Sequence, residues 1–363
     1  MDLIFMETRM LREISSNYVS PERRVKGFRR RNSQPYLPDP FEKYNVGDGV
    51  ISMIFDYVSV RDLTNLMVVS KRFNRVASQS SHWEKLSMRR TNIDIDAFHN
   101  ILSRNVKQIE LKQPSTIFTE HKSNVWMDTP LTVQPQIMLD RLVYLDLANV
   151  VFSDSNCLLS ILKRTRNLEA LNISSYPYLD TEHCDAISNN QNLLILNIQQ
   201  CRGLTHDGIA KLCRCVNLIE LNAAWTILPS GGTALLCKMI PDGVLRFSIA
   251  GRSPNELVDP LIQLLLKRCV VLRELDISDC PNVTEAIIEY VNEHEELLVL
   301  SAARCYAIEP EKLMRFTRLQ VLNIYGCVTD DGVKFLQRNM KHTKVNRCPF
   351  IDIAQPTMKS LNA

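Results

Sequence analysis

Leucines and other large apolar residues recur in one order along the C-terminal two thirds of the chain. Eight nine-residue segments follow the pattern LxxLxLxxx, with other apolar residues replacing some leucines: LVYLDLANV, LEALNISSY, LLILNIQQC, LIELNAAWT, VLRFSIAGR, LRELDISDC, LLVLSAARC and LQVLNIYGC. They begin at residues 142, 168, 193, 218, 244, 272, 297 and 319, so successive starts lie 22 to 28 residues apart. Eight copies near one period indicate a solenoid, in which each unit buries its apolar side against the next.

The intervals between these segments carry the three- or four-residue spacing of amphipathic helices. Each helical stretch begins near Asp, Asn or Ser, which are residues that favour helix starts: SNCLLSILKRT, HDGIAKLCRCV, VDPLIQLLLKRC and DDGVKFLQRNM. Short strands that alternate with helices predict an α/β solenoid, with a curved parallel sheet on one side and the helices outside. We call each strand-and-helix unit a rung and number positions one to nine within its segment.

Cysteine recurs at the ninth position of this pattern. Four of the eleven cysteines occupy it: Cys201, Cys280, Cys305 and Cys327. A reactive thiol or a metal ligand is conceivable for any one of them, but ninth positions turn inward and form a column along the stack, which is not a tetrahedral cluster. We predict that they pack as small apolar residues and that the chain holds no metal.

Two other positions predict a surface for partners. The fifth position is polar in every rung, so the concave side of the sheet has a polar floor. The eighth position faces outward near the strand end and reads Asn149, Ser175, Gln200, Trp225, Gly251, Asp279, Arg304 and Gly326. Aromatic and charged residues together are typical of protein interfaces, so Trp225, Asp279 and Arg304, with Tyr306 beside them, are candidate binding residues. The alternative is that these residues are scattered over the surface without a shared role.

The repeated pattern resembles the cysteine-containing leucine-rich repeat. This resemblance implies a horseshoe-shaped solenoid with a parallel sheet. The specificity of the match is high because the pattern occurs eight times.

A short helical unit precedes the repeats. Residues 46–88, VGDGVISMIFDYVSVRDLTNLMVVSKRFNRVASQSSHWEKLSM, predict three small helices with more apolar residues than so small a unit can bury. The segment resembles an F-box, which implies binding to a Skp-family adaptor of a cullin-RING ubiquitin ligase. The expected adaptor-binding residues are Ile51, Ile54, Phe55, Leu63, Leu66, Val69, Phe73 and Trp83. The family opens this motif with Leu-Pro, whereas Val46 and Gly47 stand here, and Asp48 is expected to cap the first helix.

Three further stretches narrow the resemblance: WMDTPL from Trp126, ARCYAIEPEKL, and RCPFIDIAQPT from Arg347. With the repeat count they are similar to the S-phase kinase-associated family of F-box proteins over about residues 46–358. The resemblance implies a substrate receptor that recruits a phosphorylated cell-cycle regulator, such as a cyclin-dependent kinase inhibitor, with a small Cks subunit supplying the phosphate pocket. By motif, the residues that meet the Cks subunit and the substrate are Trp225, Asp279, Arg304, Tyr306 and Phe350. The family's Gly-Tyr-Arg in the fifth rung is replaced by AGRSPNE, so only Arg252 matches there.

These patterns divide the chain into five segments. They are a disordered basic leader at 1–45, the F-box at 46–88, a linker with an irregular first repeat at 89–141, the repeats at 142–339, and a tail at 340–363. In the leader, RRRNSQP places Ser33 in a candidate phosphorylation site, and the basic cluster is also a candidate nuclear import signal. The tail alternates apolar residues between Pro349 and Pro356, which predicts a non-helical segment that returns along the concave sheet.

Composition limits the class of function. The net charge is only +3, which gives no general electrostatic case for nucleic acid or membrane binding, and no apolar run approaches the roughly 20 residues that span a bilayer. No Ser-His-Asp, phosphate-loop or cofactor motif is present, so we predict a receptor in the nucleus and cytoplasm, with no enzymatic activity and no cofactor. The alternatives are an F-box receptor for another substrate or for a small-molecule cofactor, and a repeat scaffold outside any ligase.

Overall fold

The computed structural model describes residue 41 and residues 44–112, 115–118, 137–349 and 352–357. Three helices open the described chain: α1 (Asp48–Phe55), α2 (Val60–Met67) and α3 (Lys71–Ala77), followed by a 3-10 turn at Ser80–Trp83. Ser59 and Ser70 cap α2 and α3, because their side chains accept hydrogen bonds from Asp62 N and Phe73 N.

Eleven parallel strands form the main sheet. In spatial order they are β1 (Lys85–Arg89), β3 (Gln108–Lys112), β5 (Tyr144–Asp146), β7 (Ala170–Asn172), β8 (Ile195–Asn197), β9 (Glu220–Asn222), β10 (Arg246–Ser248), β11 (Glu274–Asp276), β12 (Val299–Ser301), β13 (Val321–Asn323) and β14 (Lys344–Val345). A second parallel sheet contains β2 (Asn92–Asp94), β4 (Thr116–Phe118) and β6 (Val151–Phe152). Neighbours in the main sheet follow chain order, as a solenoid requires.

Helices connect the strands on the outer side. They are α4 (Ile95–Leu102), α5 (Ser155–Leu162), α6 (Thr181–Ser188), α7 (His206–Leu212), α8 (Gly232–Met239), α9 (Asp259–Arg268), α10 (Ile287–Glu293) and α11 (Asp330–Asn339), with a 3-10 turn at Pro310–Arg315 in the seventh rung. Asp154, Asp180, Thr205 and Thr329 cap four of these helices through their side chains. Within the described chain, no helix is both long enough and apolar enough to cross a bilayer.

The fold is therefore the predicted α/β leucine-rich-repeat solenoid preceded by a small helical unit. From β5 to β13, each strand of the main sheet occupies positions three to five of its segment, and the fourth-position residues align across the sheet, as in the pairs Leu145 with Leu171 and Leu300 with Leu322. Apolar residues at positions one, four and six pack into one continuous core between sheet and helices.

The sheet begins earlier than the sequence predicted. Strands β1 and β3 add two rungs before residue 142, and β1 starts inside the segment assigned to the F-box. In these rungs Trp83 and Val106 take the first position and both are buried. Strand β1 thus lies at the end of the segment assigned to the F-box, and β3 lies within the predicted linker and irregular first repeat at 89–141.

Candidate functional site

Helix α1 presents one apolar face to its own unit and another to solvent. Ile51 and Phe55 point inward and are buried. The outward face consists of four side chains spaced i, i+3, i+4 and i+7, each at least 50% exposed: Val50, Met53, Ile54 and Tyr57. After α2, Val68 and Val69 are 64% and 66% exposed. These six residues, which we call the exposed apolar set, are more large apolar surface than a stable monomeric unit of this size normally shows to water.

This arrangement corrects half of the predicted adaptor-binding residues. Ile51, Phe55, Leu63 and Trp83 are buried in the unit, so they stabilise its fold and present no surface. Leu66 and Phe73 are half-buried against the core, where the Phe73 ring lies 5.3 Å from that of Phe55. Only Ile54 and Val69 of the eight are exposed. Sequence reasoning omitted Met53 and Tyr57 from the site, although the helical spacing from Val50 indicates both.

Charged residues hold the first helix against the third. Asp48 does not cap α1, because Gly47 occupies the cap position. The Asp48 carboxylate instead accepts hydrogen bonds from Arg72 Nε at 2.7 Å and from Arg75 Nη2 at 2.5 Å. Arg72 also donates to the Val46 carbonyl. These side-chain hydrogen bonds from Arg72 and Arg75 lower the pKa of Asp48. Arg72 is thus a structural residue that fixes the Val46-Gly47 segment where the family has Leu-Pro.

The eighth position of every rung from 142 onward has a left-handed backbone. Its φ angles lie between 56° and 76° in Asn149, Ser175, Gln200, Trp225, Gly251, Asp279, Arg304 and Gly326. Most residues other than glycine and asparagine are disfavoured there, by roughly 1 kcal/mol or more. Large side chains at Trp225 and Arg304 therefore occupy a strained position, which the sequence pattern alone did not reveal. We call this column, with Tyr306, the rim.

The indole of Trp225 lies flat over the next rung. A Cβ added to Gly251 would sit 2.3 Å from Cδ2 of the Trp225 ring, so no larger residue fits beneath the indole. Trp225 remains 48% exposed, and Ile227 nearby in sequence is 57% exposed. The rim thus carries an exposed aromatic surface whose position over the next rung requires a glycine there.

Gly251→Ala is expected to lower the free energy of unfolding by about 2–3 kcal/mol, because the new Cβ displaces the indole and the backbone is left-handed. In a Trp225→Ala background the same change should lower the free energy of unfolding by only about 1 kcal/mol, because the backbone strain remains and the contact with the indole is absent. Urea unfolding of the four proteins measures the coupling between the two residues. The control is Gly231→Ala, since Gly231 has φ 73° with nothing within 4 Å of its added Cβ. Equal losses in both backgrounds would contradict the stacked geometry.

Arg304 and Asp279 form an ion pair within the rim. Both guanidinium Nε and Nη2 of Arg304 contact the Asp279 carboxylate, and this hydrogen-bonded contact raises the pKa of Arg304. Tyr306 lies beside the pair in sequence, and its side chain is 69% exposed. The structure therefore brings Asp279 and Arg304 into contact. Tyr306 follows Arg304 by two residues, and Trp225 lies two rungs before Asp279 in the same column.

Ninth-position cysteines link successive rungs through their thiols. Cys201, Cys305 and Cys327 donate to the sixth-position carbonyls of Ile173, Ile277 and Ala302 at 3.1–3.2 Å. Burial raises the pKa of Cys201 to about 12 and that of Cys280 to about 11, so these thiols are protonated and unreactive at neutral pH. The described residues contain no group of three or more potential ligands arranged for a metal ion.

Arg252 occupies the same ninth-position column and is only 3% exposed. Its guanidinium donates to the carbonyls of Ala223, Thr226 and Ala250 at 2.7–3.3 Å. Burial lowers the pKa of Arg252. Arg252, the residue matched to the family's fifth-rung motif, is therefore part of the core. Its guanidinium links two neighbouring rungs by hydrogen bonds to carbonyls, as the cysteine thiols do in other rungs.

The C-terminal tail lies on the concave floor, as predicted, over its described residues. At one end, Arg347 N donates to Oδ1 of Asn323 in β13 at 3.1 Å. At the other end, the hydroxyl of Tyr144 in β5 donates to the Pro356 carbonyl at 3.0 Å. Between these ends, Ile353 and Ala354 are fully buried. The predicted binding residue Phe350 lies outside the described residues, as do Ser33 and the WMDTPL stretch.

One buried carboxylate on the floor, that of Asp146, has a raised pKa. Burial raises the pKa of Asp146 to about 6, although a hydrogen bond from Ala148 N at 3.0 Å opposes the shift. In the next rungs an asparagine holds this position and its Oδ1 accepts the same turn hydrogen bond: Asn172, Asn197 and Asn222. The charge at Asp146 is thus unnecessary for the turn.

Asp146→Asn is expected to stabilise the protein at pH 7.5 by about 1–2 kcal/mol. Because the folded pKa exceeds the unfolded value of 3.8, the wild type loses stability as pH rises from about 4 through 6, by at most roughly 3 kcal/mol. The variant has no titrating group at residue 146. It also offers the Asn172 amide a weaker hydrogen-bond acceptor than a carboxylate, so the gain in stability at pH 7.5 is smaller than roughly 3 kcal/mol. Urea unfolding at pH 7.5 and pH 4.5 should show the gain shrinking at the lower pH. A gain that is equal at both values would contradict the raised pKa.

A groove of about 480 Å³ lies on the outer side, between the ends of α9 and α10. Its lining combines Leu266, Val270 and Tyr290 with Lys267 and three glutamates, Glu293, Glu295 and Glu296. Small-molecule sites are mostly apolar and concave, so this acidic groove does not resemble a cofactor pocket.

Two family models match the chain. One, described as the SKP2 LRR domain, matches residues 111–363, and the other, described as F-box-like, matches residues 48–89. The first covers more than half of the chain.

Solved leucine-rich-repeat structures match with low sequence identity. A chain of the yeast Rad7 and Elc1 complex is 14% identical with a TM-score of 0.44, and the match covers 80% of this chain and 91% of that one. The internalin InlF of Listeria monocytogenes is 10% identical with a TM-score of 0.40, covering 74% and 85%. LegL7 of Legionella pneumophila is 14% identical with a TM-score of 0.40, covering 70% and 89%.

Proposed function

Since the chain belongs to the family of the SKP2 leucine-rich-repeat domain and carries an F-box-like unit before its repeats, we propose that it is the substrate-recognition subunit of a Skp-cullin-F-box ubiquitin ligase. In this role it is a receptor and performs no catalysis itself. The exposed apolar set binds the Skp-family adaptor, which connects the chain to the cullin-RING complex. The observation that carries this proposal is the solvent-facing stripe of Val50, Met53, Ile54 and Tyr57.

The rim binds the substrate together with a Cks subunit, and the substrate is a phosphorylated cell-cycle regulator such as a cyclin-dependent kinase inhibitor. Support comes from the cations at positions three to nine of the rungs from 142 onward. Arg246 is paired with Glu220 and Glu274, Arg252 is buried, and Arg304 is paired with Asp279. A phosphate needs uncommitted donors, usually from arginine, so a second subunit that supplies them fits this rim.

The rim proposal is tested by substrate affinity for Arg304→Ala and Tyr306→Ala, each measured with and without the Cks subunit. The expected result is at least a tenfold loss in the ternary complex, because Tyr306 supplies an exposed aromatic anchor and Arg304 holds the charge pattern of the rim. The control is Val151→Ala. Val151 directly follows the first of the eight segments, as Tyr306 follows the seventh, and the two residues are 61% and 69% exposed. Unchanged ternary affinity in both variants would refute the rim, and a loss that persists without the Cks subunit would refute its role in recognition.

This function requires the chain in the compartments where cell-cycle regulators are degraded. We therefore place it in the nucleus and cytoplasm, with the basic cluster of residues 23–31 as the import signal. Nuclear exclusion of a chain in which these cations are replaced by glutamine is the expected result. Unchanged nuclear entry would contradict the signal.

A further inference from the structure

The concave floor contacts the tail through groups that recognise peptide backbone. Asn222 Nδ2 donates to the Ile353 carbonyl at 3.1 Å, and Glu220 Oε2 accepts from Ala354 N at 2.7 Å. The tail turns here, because Gln355 N donates to the Asp352 carbonyl at 3.2 Å and Ala354 has a φ of 50°. Hydrogen bonds to main-chain groups bind such a segment whatever its side chains, while pockets for individual residues provide selectivity. The floor thus has the chemistry of a peptide-binding site.

Side chains of the tail show what the site selects. The Asp352 carboxylate pairs with Arg246, which projects from β10. The next two residues, Ile353 and Ala354, are fully buried, so the site accepts one aliphatic and then one small side chain. An acidic residue followed by an aliphatic and a small residue is therefore the sequence class that fits.

Contacts within the solenoid also hold the polar groups of the floor. Asn222 Oδ1 accepts from Ala224 N at 3.0 Å, which directs the amide nitrogen toward the concave side. Arg246 is held by Glu220 at 3.0 Å and by Glu274 at 2.7 Å, so loss of Asp352 leaves no unpaired cation. The Asp352 side chain is itself 83% exposed, which makes its pairing weak and easily exchanged.

We propose that the floor formed by Glu220, Asn222 and Arg246 is a binding site for a short turn-forming segment of a partner protein, with residues 352–356 as its resident occupant. The partner segment carries an acidic, an aliphatic and a small residue in succession, and it binds by displacing the tail. This site lies on the concave strands, whereas the rim lies at the turns after them. The floor site is also separate from the exposed apolar set that binds the adaptor. The floor proposal and the ligase proposal are therefore testable independently.

The test uses a fluorescent peptide of residues 350–363, FIDIAQPTMKSLNA, and the full chain. Asp352→Lys in the full chain replaces the ion pair with Arg246 by two like charges, and this repulsion is expected to weaken the hold of the floor on its own tail. The expected result is micromolar binding of the peptide to this variant and at least tenfold weaker binding to the wild type, since the attached tail competes at a high effective concentration. Equal binding to both proteins, or binding to neither, would overturn the proposal.

Two floor variants in the Asp352→Lys background separate recognition from folding. Asn222→Ala should weaken peptide binding at least fivefold. Asn197→Ala removes an equivalent turn hydrogen bond, to Gln199 N, one rung away and should leave binding unchanged. Equal losses in both would overturn the assignment, with thermal unfolding confirming that each variant is folded.

The tail of a second copy of this chain has the same sequence as the peptide and could occupy the floor. Occupation by a second copy must therefore be distinguished from binding of a different partner protein. Light scattering of the wild type at the concentrations used is expected to show a monomer. A dimer that disappears in Asp352→Lys would overturn the proposal of a separate partner. Adaptor capture by Asp352→Lys should equal that of the wild type.

Discussion

Ile54→Asp combined with Val69→Asp is expected to reduce adaptor binding by more than 100-fold while the chain remains folded. Both side chains are at least half exposed, at 50% and 66%, so neither contributes to the core. A carboxylate that becomes buried in an apolar interface without a partner costs several kcal/mol, enough to abolish capture. Isothermal titration with the purified adaptor measures the loss. Leu66 is avoided because it is half-buried, and a charge there disturbs folding as well as binding.

The matched control replaces two equally exposed valines on the repeats. Val216→Asp with Val270→Asp changes residues that are 66% and 62% exposed, and it adds the same charge. This control should bind the adaptor like the wild type. If both double variants bind equally well, the helical unit is not the adaptor-binding surface.

Arg252→Ala should lower the free energy of unfolding by about 3 kcal/mol, the second largest effect that we expect. The change removes the guanidinium donors from the carbonyls of Ala223 and Thr226 and opens a cavity between two rungs. Arg252→Met fills most of the volume and removes a buried charge, so less than half of the loss is expected. Urea unfolding monitored by circular dichroism gives both values.

Arg202→Ala is the control for this prediction because Arg202 is exposed at the tenth position of its rung. Its effect should stay within about 0.5 kcal/mol. A loss for Arg252→Ala no greater than that of the control would mean that the guanidinium does not connect the rungs.

The register of the repeats was predictable because each rung is constrained at several positions at once. Leucine at the first and fourth positions must face the core, and the strands from β5 to β13 lie at positions three to five, as the pattern required. The ninth-position cysteines were placed correctly for the same reason, since this position turns inward between stacked rungs and Cys201, Cys280 and Cys305 are fully buried there.

Other features depend on contacts that no local pattern encodes. Strand β1 was not predicted, because Trp83 stands where the pattern has leucine. The left-handed column escaped notice because residues as different as Trp225 and Arg304 occupy it. Which face of α1 is buried follows from packing against α3, and the pattern placed Ile51 and Phe55 on the wrong side.

The most direct test of the account is affinity purification of the tagged full chain from cells, scored for the Skp-family adaptor, the cullin and the Cks subunit. All three should be recovered with the wild type and with the Val216→Asp, Val270→Asp control. The Ile54→Asp, Val69→Asp variant should lose the adaptor and the cullin and retain the Cks subunit, because the rim is unchanged. Recovery of the Cks subunit by the wild type without adaptor or cullin would contradict the claim that this chain is a ligase receptor.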